Sequence, residues 1–596
     1  MDPGHYYITR RNELQEQLSK LKQKKSVLGW LRFGTIAGII AGIYILWSLG
    51  WPYIITVAVI LAMIFARLVL NDIRNSAAIG HTFHLININI DELKALDNNY
   101  FHFEPGNAFI PREHLYANDL DLFGRASVYQ YINRTTSEPG STTLSNWLLQ
   151  PAAVESLLKR QEAVKELSKI HEWKQELQAI GKEKKIQWLT LERINAWLQE
   201  RDIFSPFKAW AWLKYILPVI ILTVTVLTIF DYVTLNTFYV FLFVFAVIAF
   251  KIDRKVVPIH TKLSKIVEEV EVLSDSIALI ENATFQAPLL IQLKEQFSHT
   301  NGKASAALSQ LKKILDRLDI RYNIVLSAPL NLFLQWNLHQ VTALEKWKKQ
   351  NGNQIGQWFT ALGELEALSS LSTIAFNNPG WCFPLFRDEH FFIEGTDIGH
   401  PLISAAKRVN NPLRIDSAGE LMLVTGSNMA GKSTYLRSIG VNVVLAMAGG
   451  PVCARSFHLS PVQIVSSMRI ADNLEESTST FYAELKKLKT IIEKVNKGEK
   501  VLILLDEILR GTNSLDRHTG SVALIRQLIK YHAAGIIATH DVELAELKKE
   551  FPLNILNYHF DVQVNNDELF FDYELKEGVC TSLNASILMK KIGIEL

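Results

Sequence analysis

At 596 residues the chain is too long for one hydrophobic core and is expected to divide into roughly three or four units. Lys and Arg number 62 against 60 Asp and Glu, so the net charge of +2 gives no overall electrostatic reason to look for an acidic polymer as partner. The three cysteines, Cys382, Cys453 and Cys580, lie far apart and form no C-x-x-C pair, which argues against a disulfide framework or a zinc knuckle and for cytosolic soluble parts.

Residues 1–26 are polar and helix-prone, and are expected to form a cytosolic N-terminal helix. This stretch is too long for the start of a cleaved signal peptide, and no A-x-A site follows the apolar block behind it. The mean hydropathy of +0.10 is high for a soluble enzyme and points to local apolar blocks. The first two, Phe33 to Leu49 and Trp51 to Ala66, carry no charge and are divided by Gly50, with Pro52 unable to extend a helix from the first. They predict a transmembrane hairpin over residues 27–70. A second hairpin, at about 208–251, is predicted from Tyr215 to Phe230 and Tyr232 to Phe250, which break at Asp231. Lys22, Lys24, Lys25 and Arg32 precede the first block, and Arg67 and Arg74 close the second. Lys208 and Lys214 open the third, and Lys251, Arg254 and Lys255 follow the fourth. The positive-inside rule then has both hairpins entering from the cytoplasm and returning to it. Trp47, Trp51, Trp210 and Trp212 suit the interfaces. The expected location is the inner cell membrane, multi-pass, with the C-terminal domain in the cytoplasm.

From residue 71 to 375 the soluble segments read as helix, with apolar residues at three- and four-residue spacing in Val154 to Leu189 and in Leu263 to Leu318. After Pro379 the texture changes to short β-branched runs, Gly-rich turns and helices in alternation, the pattern of a parallel α/β sheet. The boundary is expected near residues 372 to 380, giving a domain over 376–596.

Leu421 to Thr425 reads as a buried strand, and Gly426-Ser-Asn-Met-Ala-Gly431-Lys432-Ser433-Thr434 follows before a helical stretch. This is the G-x-x-x-x-G-K-S phosphate loop in its proper context. Its glycines let backbone N–H groups turn toward phosphate oxygens, Lys432 reaches the β- and γ-phosphates, and Ser433 is a ligand for Mg²⁺. A second strand, Val501 to Leu505, runs into Asp506-Glu507, where a P-loop sheet carries a carboxylate for Mg²⁺ and a Glu that orients and deprotonates water. A third, Gly535 to Thr539, ends in His540-Asp541, suited to sensing a γ-phosphate at a strand's carboxyl edge.

The segments G-S-N-M-A-G-K-S-T at 426–434, D-N-L-E-E-S-T-S-T-F-Y-A-E-L at 472–485, L-L-D-E-I-L-R-G-T-N-S-L-D-R at 504–517 and A-T-H-D at 538–541 resemble, in order and spacing, the motif set of MutS ATPases. Upstream, R-T-T-S-E-P-G-S-T-T-L-S-N-W-L at 134–148 and K-R-Q-E-A-V at 159–164 resemble the opening of that family's helical core. The resemblance implies an ABC-like P-loop α/β NTPase domain at the C-terminus and an all-α MutS-like core, here accompanied by two transmembrane hairpins. It implies ATP and Mg²⁺ as cofactors and a homodimer in which two ATPase domains sandwich two nucleotides. Carried over by position, Gly426, Asn428, Gly431, Lys432, Ser433 and Thr434 hold phosphates and Mg²⁺, and Asp506 and Glu507 complete the hydrolytic site. His540 senses γ-phosphate, Ser479 reaches the partner's nucleotide, Asp516 sits on the dimer-facing loop and Tyr573 flanks adenine.

Departures qualify the resemblance. Mismatch-recognising members carry an N-terminal domain with a Phe-x-Glu wedge, for which this chain has no room; Phe392-Ile393-Glu394 lies just before the ATPase and is read as a chance match. Ser477 and Thr478 replace the usual Gly-Arg, and no helical extension follows Leu596, which weakens the expected dimer. Basic clusters at Lys182, Lys184 and Lys185 and at Lys346, Lys348 and Lys349 read as solvated helix faces, so duplex DNA as a partner rests on the resemblance. A membrane-tethered mechanical or scaffolding ATPase that never touches DNA is the main alternative, and an ABC-type transporter a weaker one. The four cationic flanks generate a test of orientation: cysteine labelling at Asp231 is expected only from outside and at Glu420 only from inside. Labelling of Glu420 from outside would sink the orientation.

Overall fold

Helix formation in the N-terminal third needs little more than the absence of breakers. Asp2 accepts the backbone N–H of His5 at 2.8 Å, Pro3 occupies the first turn, and the helix then runs unbroken from Pro3 to Leu46. The polar N-terminal stretch and the first apolar block are thus one helix, because nothing between residues 26 and 33 stops it. A short 3₁₀ turn and Gly50, at φ 98°, reverse the chain into a second helix, Trp51–Leu96, which continues some thirty residues past the apolar block. The computed structural model describes residues 2–204, 208–299, 302–427, 430–469, 480–565 and 568–580.

The second apolar pair forms the helices Lys208–Ile229 and Leu235–Leu263, with Asp231 in the left-handed region at the turn. Among the described residues four helices, Pro3–Leu46, Trp51–Leu96, Trp212–Ile229 and Leu235–Asn282, are long and apolar enough to cross a membrane. Their apolar windows are only 6 to 11% buried, an exposure that water would penalise heavily. The last of them passes through a single 3₁₀ turn, Ser264–Ile266, into the core helix Val267–Asn282.

Two buried charged networks fasten the helical core. Glu92, near the end of the second helix, takes a bidentate ion pair from Arg134, and Arg134 also donates to the carbonyls of Tyr131 and Asn133 at 2.9 and 3.0 Å. Asn377 donates at 2.8 Å to the Oε2 of the same carboxylate and accepts from Tyr7 Oη at 2.8 Å, so the first helix, the second and the long helix Ile355–Asn377 meet there. The second network places Glu366 of that long helix over the start of Glu138–Leu149. It accepts from Thr136 Oγ1 and Ser137 Oγ, each at 2.7 Å, and from both backbone N–H groups. Burial pushes the Glu366 carboxyl up and these hydrogen bonds hold it down. The approach requires glycine: a Cβ on Gly363 would lie 2.8 Å from the Pro139 carbonyl.

Beyond Asn377 the chain builds sheets. The larger has six strands in the order Leu575–Glu577, Ile555–Phe560, Leu421–Thr425, Ala534–Thr539, Val501–Asp506 and Gln463–Ser467, all neighbours parallel except the first pair. Both faces are buried, which is why the central strands are nearly continuous apolar runs. Met422, Val424, Leu502 and Leu504 face the helix Lys432–Ala448 and the helical core, whereas Leu421, Leu423, Ile503 and Leu505 face the helices Thr480–Asn496 and Ser514–Lys530. A smaller four-stranded sheet of Leu385–Phe386, Ser456–Leu459, Ile393–Ile398 and Asn411–Ile415 lies alongside. Within it Ile393 is buried and Glu394 pairs with Arg414 at 3.4 Å, a structural use of the Phe-x-Glu stretch. Cys382, Cys453 and Cys580 form no disulfide.

Arg134→Ala would leave the Glu92 carboxylate buried without its cation, and a loss of about 3–5 kcal/mol is expected. Denaturant unfolding of the detergent-solubilised protein measures it; a change below about 1 kcal/mol would show that the pair does not hold the core.

Candidate nucleotide site

The register of the sheet decides where the chemistry gathers. Thr539 pairs with Thr425, and Ala538 with Asp506, so the strands Leu421–Thr425, Ala534–Thr539 and Val501–Asp506 end at one level. Everything that follows them emerges at one carboxyl edge, the usual binding edge of an open parallel sheet. Gly426 leaves the first strand at φ 148°, where a Cβ would lie 2.8 Å from the Phe560 carbonyl oxygen. Gly431, at φ 106°, begins the helix Lys432–Ala448. The loop therefore aims the first N–H groups of that helix at the space above the sheet, an arrangement that favours an anion.

Lys432 is buried, and its Nζ donates to the carbonyls of Gly426 and Ser427 at 2.6 and 2.9 Å. Desolvation lowers its pKa, while the carboxylates of Glu507 and Asp506 oppose the shift. Asp506 is displaced upward, first by burial, with a hydrogen bond from Ser433 and the nearby cations Arg510 and Lys432 pulling it back. Its Oδ1 is buried without a hydrogen-bond partner among the described residues. An orphaned carboxylate oxygen beside a serine hydroxyl fits the donor set of a small hard cation such as Mg²⁺.

Glu507 departs from the strand in the left-handed region, at φ 49°, its N–H donating to the Ala538 carbonyl at 2.9 Å. Its Oε2 lies 3.1 Å from Arg510 Nε and 3.8 Å from His540 Nδ1, so His540 and Glu507 face each other across the edge. His540 Nδ1 has no hydrogen-bond partner among the described residues. A cavity of about 350 Å³ opens above this edge, lined by Lys432, Ser433, Thr434, Glu507 and Tyr573 and also by Lys407. The Tyr573 ring rests against Gly431, where a Cβ would stand 3.1 Å from its Cδ1, and it stacks on Phe571 with centroids 5.9 Å apart. Asn411 holds the Tyr573 carbonyl at 3.0 Å.

The remaining expected site residues lie elsewhere. Asp516 is exposed in the first turn of Ser514–Lys530, where it exchanges hydrogen bonds with Asn513 at 2.7 and 2.9 Å; it does not line the cavity. Asn428 and Ser479 fall outside the described residues. Two groups at the site were not anticipated. Lys407 adds a cation to the cavity from a turn of no recognisable pattern. Glu484 is buried on the helix Thr480–Asn496 and accepts the Leu509 N–H at 2.5 Å; the N–H groups of Arg510 and Gly511 also help to offset its burial. This carboxylate holds the segment that leaves Glu507. Its signal was present in the E-L that closes the 472–485 motif, but a glutamate on an amphipathic helix reads first as solvated.

The sheet, the glycine loop and the acidic strand end define an α/β domain with its candidate site at the carboxyl edge of a parallel sheet. Residues 422–590 match the family model of MutS domain V. The chain is 34% identical over 247 residues to the DNA mismatch repair protein MutS of Granulibacter bethesdensis, covering 40% of this chain and 26% of that protein. It is 32% identical over 232 residues to the protein of the same name from Aquifex pyrophilus, covering 38% and 26%. It is 35% identical over 196 residues to MutS protein homolog 4 of Mus musculus, covering 31% and 20%. The matches span about a quarter or less of these relatives. On them, the C-terminal part of the chain belongs to the MutS family.

Removing the Glu484 carboxylate as Glu484→Ala strands the N–H groups it accepts, at an expected cost of about 1–3 kcal/mol. Hydrogen exchange should accelerate at residues 509–511 while the central strands stay protected. Unchanged protection there would show that Glu484 does not hold the segment.

Proposed function

We propose that this chain is a membrane-anchored ATPase of the MutS type, which binds ATP with Mg²⁺ at the carboxyl edge of its sheet and couples hydrolysis to a change in the helical core. The observation that carries this reading is that Lys432, Ser433 and Glu507 line one cavity, with Asp506 hydrogen-bonded to Ser433 and close to Lys432. In this reading the loop from Gly426 to Thr434, Asn428 included, holds the phosphates, and Lys432 exchanges its loop carbonyls for phosphate oxygens. Ser433 and Asp506 hold Mg²⁺, which supplies charge neutralisation to the phosphates. Glu507 accepts the proton of the attacking water, and His540, opposite it, senses the γ-phosphate. The Tyr573 ring flanks adenine, and Thr434 and Lys407 line the path of the nucleotide.

Two ATPase domains are proposed to pair as a homodimer, with Ser479 reaching the partner's nucleotide and the exposed Asp516 on the facing surface. The hairpins hold the protein in the inner cell membrane with the ATPase in the cytoplasm. Duplex DNA is proposed as a ligand of the core because the Granulibacter bethesdensis and Aquifex pyrophilus relatives are named DNA mismatch repair proteins, and binding is proposed to lack mismatch preference because Phe392-Ile393-Glu394 leads into a strand of the small sheet. A second reading, a tethered scaffolding ATPase that never binds DNA, draws support from the basic clusters. Lys184 pairs with Glu268 at 2.8 Å and Lys185 with Glu104 at 2.9 Å, and Lys348 and Lys349 share Asp202 at 3.4 and 3.2 Å. Duplex binding that weakens steeply with salt favours the first reading, and its absence favours the second.

Glu507→Gln is expected to bind ATP and Mg²⁺ normally yet lose about 10² or more in kcat, accumulating as an ATP-bound dimer. Lys432→Ala should fail at binding. Equal nucleotide affinity in Lys432→Ala and the native protein would refute the site.

A further inference from the structure

Between Arg321 and Glu345 the chain carries no Asp, Glu, Lys or Arg, and within that stretch Ile324–Leu334 forms an eleven-residue helix, I-V-L-S-A-P-L-N-L-F-L. None of its residues is buried. Ile324 and Val325 are each 77% exposed, and Tyr322 just before them 71%. A helix apolar all round is stable in water only when something covers it, and one this short, with Pro329 inside, has little helical stability of its own. Its neighbours indicate the cover. It packs beside both helices of the second hairpin, Lys208–Ile229 and Leu235–Leu263. Directly after it, Asn337 donates to Asp253 Oδ1 at 2.8 Å, His339 Nε2 lies 2.8 Å from the Lys214 carbonyl, and Trp336 Nε1 donates to the Arg317 carbonyl at 2.8 Å. The helix is therefore pinned at the charged end of the hairpin, where Lys214, Lys251, Arg254 and Lys255 flank the apolar blocks and Arg317 and Arg321 precede its own.

We propose that Ile324–Leu334 is a fifth membrane element, a half-helix sunk into the lipid leaflet beside the second hairpin. The inference rests on reading the four long apolar helices as membrane spans. At about 16 Å the helix is roughly half as long as a ~30 Å hydrocarbon core is thick, so it cannot cross and stays within one leaflet. Arg321 with Tyr322 before the helix and Trp336 after it suit a headgroup layer, which keeps both ends near the interface of that leaflet. The consequence is a second attachment for the core, which fixes its tilt against the bilayer where a hairpin alone would leave it free to swing.

The test uses the full chain with Cys382, Cys453 and Cys580 replaced by Ala, and one new cysteine carrying an environment-sensitive fluorophore at Val325, at Val240 within a span, or at Lys489 on the ATPase surface. The labelled proteins are reconstituted in phosphatidylcholine and phosphatidylglycerol vesicles containing spin-labelled acyl chains. The probe at position 325 is expected to be quenched to within about twofold of that at 240, while that at 489 is untouched. Quenching at 240 without quenching at 325 would overturn the proposal while leaving the spans in place; blue-shifted but unquenched emission at 325 would then identify a second copy of the chain as the cover. Failure to quench either position would overturn the spans themselves, and the proposal with them.

Discussion

The buried carboxylate of Glu92 is the point on which the helical part of the molecule depends. A charge taken out of water costs several kcal/mol unless it is paired and hydrogen-bonded, and Glu92 is supplied from two sides, by Arg134 and by Asn377. Those partners stand at the ends of different elements. Glu92 closes a helix that begins at Trp51 in the first apolar hairpin, Arg134 opens the R-T-T-S stretch, and Asn377 ends the long helix that delivers the chain to the sheets. Tyr7, bonded to Asn377, adds the start of the chain. The geometry that satisfies one charge thus fixes the first hairpin, the core and the entrance to the α/β domain relative to one another.

A second contiguous set of contacts joins that core to the candidate site. Asp119, buried in the segment ahead of Arg134, accepts from Lys487 Nζ and Ser466 Oγ, each at 2.7 Å, and from the Arg469 N–H at 3.1 Å. Lys487 lies on the helix Thr480–Asn496, three residues from Glu484, which holds the segment leaving Glu507. One helix therefore touches the core through a lysine and the acidic strand end through a glutamate. Displacement of the segment after Glu507 cannot occur without straining either Glu484 or the helix that carries it, and the Asp119 pair is the next contact in line. Contiguity of this kind supplies a route; coupling in addition requires that the helix have two arrangements of similar energy.

What could be read from the sequence follows from what burial does to residue patterns. The strands at 421–425, 501–506 and 534–539 were legible because a sheet buried on both faces demands unbroken apolar runs, and the apolar hairpins because charge-free blocks with cationic flanks have few other uses. Continuity was less legible. A shift from polar to apolar near residue 27 suggests a boundary, yet the backbone hydrogen bonds of a helix are indifferent to such a shift, and Pro3–Leu46 runs through it. Glu366 carries no sequence signal and Glu484 only its place in a motif, because a glutamate on a helix ordinarily faces water and only tertiary structure places backbone N–H groups around it. Ile324–Leu334 gives no comparable signal, being too short to span a bilayer and interrupted by Pro329 and Asn331. The position of Tyr573 over the glycine loop follows from family resemblance, since seven strands and four α-helices among the described residues separate it from Gly431 and no periodicity links the two.

The second hairpin constrains what the core can do. Its returning helix passes into Val267–Asn282 through one 3₁₀ turn, and Glu269, Ser274 and Ser276 on that continuation are buried in the core. A flexible linker would let the soluble part rotate freely above a passive anchor; a turn of three residues between packed helices does not. If the apolar helices are spans, any rotation of Val267–Asn282 within the core is imposed on the hairpin, and any tilt of the hairpin is imposed on the core. In that case the same connection would limit access, because a long polymer could approach the core only from sides that the bilayer leaves open. On the proposed function, a membrane attachment built in this way would do more than localise the protein: it would make the lipid surface one of the bodies against which the core must move.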